Sequence, residues 1–208
     1  MEDKFVINIG RQLGSGGRLI GESLAKRLGI SFYDKELINI ASKESGLCPE
    51  FLEKADEKPS QTIMGSVWGA RFSLFTDNMP YANYFNNDSI FKIQSDVIRK
   101  LAEERSCLFV GRCADYILRD HPRAVNVFIT ASREDRIKRV REYTQLSQTE
   151  TEDLILRTDK KRAEYYNYYS YKTWGVAETY HLCIDSSILG IEETTTMIEE
   201  FVKKKLQQ

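Results

Sequence analysis

The chain reads as an α/β protein built on a five-stranded parallel sheet flanked by helices, and three observations lead there. Five short apolar runs are spaced along the 208 residues, and longer amphipathic stretches follow most of them. A glycine-rich turn separates the first apolar run from the first amphipathic stretch. Apolar residues make up 41% and charged residues 29% of the chain, a balance that supports a packed core and argues against disorder.

The first strand is Phe5-Val6-Ile7-Asn8-Ile9. A helix over residues 18–28 follows, with Leu19, Ile20, Leu24 and Leu28 on one face and Gly29 as its C-cap. Residues 30–33 form a second, very short strand, and Asp34 stands where it caps a helix running to about residue 44. Gly46 ends that helix, and Pro49 opens another at its first turn. Residues 58–86 break the rhythm with Gly65, Gly69, Pro80, Trp68, Phe72, Phe75, Tyr81, Tyr84 and Phe85. So apolar a stretch predicts an ordered segment covering a cleft, with contact to a partner subunit as the alternative.

Periodicity resumes with a helix over 88–104, then the strand Cys107-Leu108-Phe109-Val110, which ends at Gly111-Arg112. A strand over 125–129 is followed by helices over 133–146 and 149–171, a last strand over 181–185 and a final helix over 191–206. Arg133, Arg136, Arg139 and Arg141 are balanced on their helix by Glu134, Asp135 and Glu142, and most of them read as surface charges outside the site. Tyr165, Tyr168 and Tyr169 share one side of their helix, which reads as helix packing or a homodimer contact, with base stacking as the alternative.

Composition excludes several classes. Thirty basic and thirty-one acidic residues leave a net charge of −1, so no DNA or RNA partner is expected. Glu2 and Asp3 stand where a secretory signal needs positive charge, and no run approaches the roughly 18–20 apolar residues that span a membrane. The four cysteines, Cys48, Cys107, Cys113 and Cys183, form no C-x-x-C pair. With only His121 and His181 beside them a zinc cage is not expected, and they read as buried, reduced thiols of a cytoplasmic protein.

The segment Gly10-Arg11-Gln12-Leu13-Gly14-Ser15-Gly16-Gly17-Arg18 lies between strand and helix, where a phosphate-binding loop belongs. Glycines let backbone N–H groups converge on an anion, and the helix N-terminus adds favourable electrostatics. Gly14, Ser15, Gly16, Gly17 and Arg18 are therefore the candidate ATP phosphate-binding residues. The alternative is a tight turn that binds nothing. Set against G-x-x-x-x-G-K-[ST], the loop carries Arg11 at the first glycine, Gly17 at the lysine and Arg18 at the hydroxyl residue. Where the motif ends G-K-G-T, Leu19 falls on the threonine. The lysine that reaches the β- and γ-phosphates is missing. Arg18 is expected to supply that charge, and Ser15 is the one hydroxyl left in the loop to touch Mg2+ or phosphate.

Several blocks together resemble the cytidylate kinase-like family of bacteria, relatives of CMP kinase. They are Gly14-Ser15-Gly16-Gly17-Arg18, Phe32-Tyr33-Asp34-Lys35-Glu36-Leu37, Val110-Gly111-Arg112-Cys113-Ala114-Asp115-Tyr116-Ile117-Leu118, Thr158-Asp159-Lys160-Lys161-Arg162-Ala163 with Tyr165-Tyr166-Asn167-Tyr168-Tyr169, and His181-Leu182-Cys183-Ile184-Asp185 continuing to Gly190. The resemblance implies a three-layer P-loop NTPase fold in one domain, residues 1–208. It also implies ATP and Mg2+, and transfer of the γ-phosphoryl group to a nucleoside monophosphate, CMP or dCMP first. Residues 149–175 would form a helical lid and 58–86 the acceptor-side cover.

Arg112 resembles the arginine of the D-G-R-D segment that contacts the acceptor phosphate, although Val110 and Cys113 replace its two aspartates. Arg157, Asp159 and Arg162, with Lys161, resemble the basic lid, so Arg18, Arg157 and Arg162 are the catalytic candidates. Asp34 is an acceptor contact or only an N-cap, and Arg71 with Phe72, Tyr81 and Tyr84 would cradle the acceptor base. Two other classes stay open. The departures at Gly17, Leu19 and Val110 fit a nucleotide-binding regulator without activity, and the aromatic 58–86 segment fits a small-molecule kinase.

Overall fold

The computed structural model describes residues 4–35 and 84–207. Five strands form one parallel sheet in the order β2-β3-β1-β4-β5: β1 Val6–Arg11, β2 Ser31–Tyr33, β3 Cys107–Val110, β4 Ala124–Thr130 and β5 Leu182–Asp185. Among the described residues the helices are α1 Gly17–Leu28, α2 Tyr84–Glu104, α3 Ala114–Ile117, α4 Arg133–Thr144, α5 Gln148–Ser170 and α6 Ser186–Leu206. The predicted helices after Asp34 and Pro49, the segment 58–83 with Arg71, and Cys48 lie outside the described residues.

Strand alternation separates two cores. Ile7, Ile9, Leu108, Val110, Val125, Val127 and Ile129 face Ile20 and Leu24 of α1 and Ile198 and Val202 of α6. Val6, Cys107, Phe109 and Ala124 face Ile98 and Ala102 of α2 and Ala114 and Ile117 of α3. Each fully buried aliphatic side chain contributes about 1.5–3 kcal/mol, so the sheet is a rigid base for the loops at its carboxyl edge.

The structure departs from the sequence expectations at several places. Strand β1 continues through Gly10 and Arg11, which pair with Phe128 and Ile129, so Arg11 belongs to the sheet and not to the loop. Helix α2 begins at Tyr84 rather than Asp88. Helix α6 begins at Ser186, with the Asp185 carboxylate accepting from the Ser187 N–H at 2.8 Å, and kinks at Gly190 (φ 75°, ψ 176°). Leu19 does not join the buried face of α1, because it is 58% exposed. Cys107 and Cys113 are buried as expected, but Cys183 on the sheet's outer strand β5 is exposed. The tyrosine side of α5 packs within the chain: Tyr169 stacks on Phe91 of α2 with ring centres 3.9 Å apart and planes at 9°. No helix among the described residues is long and apolar enough to cross a membrane.

Candidate active site

With β1 between β3 and β4, the chain leaves β1 in one direction and returns on the other side, so a crevice opens at the strands' carboxyl ends. A cleft of about 790 Å³ occupies it, lined by Gly14, Gly16, Gly17, Arg18, Arg11, Asp34, Arg112, Asp115, Lys161, Arg162 and Tyr165 among others. That is the size range of a small-molecule site.

The loop from β1 to α1 is bound to its surroundings through its carbonyls. Gly14 (φ 79°) and Gly16 (φ 75°) take the left-handed turns, and a Cβ at Gly14 would lie 2.6 Å from the Arg136 carbonyl oxygen. Arg136 Nε donates to Leu13 O at 2.7 Å, Arg139 Nη1 to Gly14 O at 3.3 Å and Ser186 Oγ to Ser15 O at 2.7 Å. The Leu13 N–H donates to Asp159 at 2.8 Å, and Asp159 is also ion-paired with Arg136. With the carbonyls held on the outside, the loop presents the start of α1, whose first N–H groups have no intrahelical partner, to the cleft. Arg136 and Arg139 are thus not surface charges as expected: they reach across from α4 to clasp the loop. Their signal was faint but present, since Arg136 lies four residues before Val140 on the one buried face of α4.

The predicted site residues divide. Gly14, Gly16, Gly17, Arg18, Arg112, Asp34, Lys161 and Arg162 line the cleft. Ser15 does not. It is fully buried, and its hydroxyl donates to Gln12 O at 2.9 Å, so the loop uses it internally rather than for metal or phosphate. Arg18 is half-exposed; its Nε donates to Asp34 at 2.8 Å and its Nη1 to Glu22 at 3.5 Å, so its guanidinium is engaged by carboxylates on both sides. Asp34 is correspondingly an ion-pair partner, whatever it caps. Arg157 is exposed and donates to Asp153 O on its own helix, outside the cleft, whereas Arg162 reaches in and donates to Arg11 O at 3.2 Å. Asp159 serves the lid position differently from expectation, as the tie between α5 and the loop.

The opposite wall is the turn after β3. Gly111, Arg112 and Cys113 all have positive φ (78°, 57° and 54°), a left-handed run that costs about 1–2 kcal/mol at each non-glycine residue. This turn holds the Arg112 guanidinium over the Tyr165 ring, 5.6 Å from its centre. Burial pushes the Tyr165 hydroxyl up to about 12, so it stays a neutral donor. Burial also pushes the Cys113 thiol well up, which removes it as a nucleophile. Asp115 lies deeper in the same wall, accepts from the Tyr166 hydroxyl at 2.6 Å and has its carboxyl raised by burial. Arg11 went unassigned by the sequence reading. It is desolvated at the cleft floor, and Arg162 and then Arg112 are the cations that press on it most.

The donor set does not fit a metal held by the protein. Among the described residues no three His, Cys, Asp or Glu side chains gather, the loop hydroxyl is engaged, and Arg18, or Leu19 where the motif ends G-K-G-T, stands at the hydroxyl position.

A family model described as the cytidylate kinase-like family matches residues 6–188. No curated protein matches the chain. Among solved structures, an uncharacterized protein from Eubacterium ventriosum ATCC 27560 is similar at 27% identity and a TM-score of 0.72, covering 96% of this chain and 99% of its own. Shikimate kinase from Bacteroides thetaiotaomicron is similar at 14% identity and TM-score 0.53, covering 96% of this chain and 98% of its own. A gluconokinase from Sinorhizobium meliloti 1021 is similar at 14% identity and TM-score 0.55, covering 100% and 96%. These last two share the fold alone, that of the P-loop kinases. The matched span takes in the loop, the strained turn after β3, the α5 residues at the cleft and all five strands, and on it the chain belongs to the cytidylate kinase-like family.

Proposed function

We propose that the protein is a cytoplasmic, single-domain phosphotransferase that moves the γ-phosphoryl group of ATP to a nucleoside monophosphate, CMP or dCMP first. The observation that carries this reading is the convergence of Arg11, Arg112 and Arg162 on one cleft that Gly14, Gly16, Gly17 and the start of α1 also line. An acceptor phosphate oxygen attacks the γ-phosphorus, the bond to the β,γ-bridging oxygen breaks, and ADP leaves with that electron pair. The acceptor oxygen is already anionic at neutral pH, so no base is needed. Positioning and neutralisation of charge do the work, and an arginine on the transferred group is worth roughly 10³–10⁵ in rate.

Within this reading Gly14, Gly16, Gly17 and the start of α1 hold the donor phosphates, Arg112 the acceptor phosphate and Arg162 the transferred group. Asp34 and Arg18 shape the acceptor side, with Arg71 and the 58–86 segment as further acceptor contacts. P-loop kinases work with Mg2+. Here the metal would come complexed to the nucleotide, whose phosphates need few protein ligands to hold it.

A small-molecule acceptor is favoured by one observation. Asp115 is a buried carboxylate in the cleft wall with a raised pKa, which suits a base for an alcohol. ADP formation with a panel of monophosphates and polyols decides. Turnover on CMP or dCMP supports the first reading, turnover only on an alcohol replaces it with the second, and ATP binding without any turnover identifies a regulator.

A further inference from the structure

We infer that Arg11 is the phosphate-binding cation that stands in for the missing loop lysine, and that Gly17 is a glycine because the Arg11 side chain occupies the space a lysine stem would need. Two motif positions are exchanged. Against G-x-x-x-x-G-K the chain has arginine at the first glycine and glycine at the lysine. The two positions touch in the fold. A Cβ at Gly17 would lie 2.6 Å from Arg11 Cβ and 3.0 Å from its Cγ, so the arginine stem crosses the first turn of α1 where a lysine would leave it. The tip is confined the same way. A Cβ at Gly111 would lie 2.2 Å from Arg11 Nη1 and 3.1 Å from Cζ. The side chain therefore runs between two glycines, from the donor loop at its root to the acceptor turn at its tip.

Its surroundings call for an anion. Arg112 and Arg162 are its cationic neighbours, and the nearby carboxylates are shared with other arginines: Asp34 pairs with Arg18, and Asp159 with Arg136 and, at 3.8 Å, with Arg162. Arginines do not give up their protons in proteins, so the cluster is relieved by an entering polyanion and not by deprotonation. A planar fork anchored on β1 spans donor and acceptor phosphates at once, where a lysine on α1 delivers a point charge from the donor side.

The inference rests on the phosphoryl-transfer reading, and its test separates the two. ATP binding is measured by calorimetry, with no acceptor present, for wild type, Arg11→Met, Arg11→Gly, Gly17→Lys and the double variant Arg11→Gly/Gly17→Lys. Arg11→Met keeps the stem and removes the charge; it is expected to weaken ATP by about tenfold or more with its urea midpoint unchanged. Gly17→Lys alone meets the Arg11 stem and is expected to unfold at lower urea. The double variant is expected to recover both midpoint and affinity relative to either single change. Wild-type affinity in Arg11→Met overturns the inference. So does a well-folded double variant that binds ATP no better than Arg11→Gly; should Arg11→Gly not fold, Arg11→Met decides alone. Wild type that binds ATP with this pattern yet makes no ADP with any acceptor would instead sink the transfer reading and leave Arg11 standing.

Discussion

Asp159→Ala tests whether the phosphate loop is held from outside. The carboxylate accepts the Leu13 N–H at 2.8 Å and pairs with Arg136, and Arg136 Nε itself donates to Leu13 O at 2.7 Å. One side chain thus ties α5, α4 and the loop together. The Arg136 and Asp159 side chains are only 11% and 16% exposed, so removing the carboxylate strands a nearly buried guanidinium. Breaking a buried pair from one side costs about 3–5 kcal/mol, and the low end, about 3, applies because neither partner is fully dry. For a chain of this length that is a fall in Tm of about 7 °C. Asp159→Asn keeps an acceptor for the Leu13 N–H and loses only the charge, so it should cost about 1–2 kcal/mol less. Urea unfolding at neutral pH gives both values, and the KM for ATP should rise in the alanine variant as the loop loosens. A loss under about 1 kcal/mol, or an ATP KM that does not move while stability falls, would refute the role of Asp159 as the loop's anchor.

Ser186→Ala should act on the same loop from the other side. Ser186 is fully buried, donates to Ser15 O at 2.7 Å and accepts from Arg139 Nη1 at 3.0 Å, so a loss of about 1–3 kcal/mol and a raised nucleotide KM are expected. Ser147→Ala removes the capping box of α5 with Glu150 and should cost about 1 kcal/mol in unfolding experiments while leaving nucleotide KM alone. Asp115 gives a pH dependence. Burial raises its carboxyl in the fold, so above the unfolded value of about 3.9 the folded chain holds a proton more tightly than the unfolded chain does. The resulting penalty is absent below that value and grows as pH rises toward the folded pKa. Asp115→Asn should therefore stabilise the protein at neutral pH and lose that advantage toward pH 4; urea midpoints that differ by the same amount at every pH would contradict it.

What could be read from the chain was set by local pattern. Short apolar runs pointed to the five strands, and Gly29, with φ 64°, caps α1 where its position after Leu28 suggested. What failed was set by distance along the chain. Arg136 and Arg139 meet loop carbonyls 123 and 125 residues away, and nothing in a run of alternating charges distinguishes such a pair from a solvated face. Arg11 was missed because Gly10 and Arg11 interrupt the apolar run, yet both still pair with β4. Arg157 is a different kind of failure, since helical geometry could have caught it. Five residues at 3.6 per turn put Arg157 and Arg162 about 140° apart, so a helix that turns Arg162 into a cleft turns Arg157 out of it.

That division of arginines also bears on the reading of the chain as an inactive regulator. The case for lost chemistry rests on Gly17, Leu19 and Val110, and at Gly17 the absent lysine matters through the charge it removes from the phosphates. The arginines of the cleft fall into two sets with different duties. Arg136 and Arg139 are satisfied by Asp159, Ser186 and the loop carbonyls, and cannot turn to a nucleotide without releasing the loop. Arg11, Arg112 and Arg162 line the cavity, as Arg139 also does, and Arg162 pairs with Asp159 at 3.8 Å besides. Of these only Arg11 is rooted beside the lysine position and reaches the turn after β3, as its closeness to Gly17 and Gly111 requires. The positive charge has therefore moved from the first turn of the helix to the last residue of the central strand and has not left the site. The missing lysine at Gly17 therefore does not by itself mark the chain as inactive, and because a nucleotide-binding regulator would need the same charge, turnover is what separates the two.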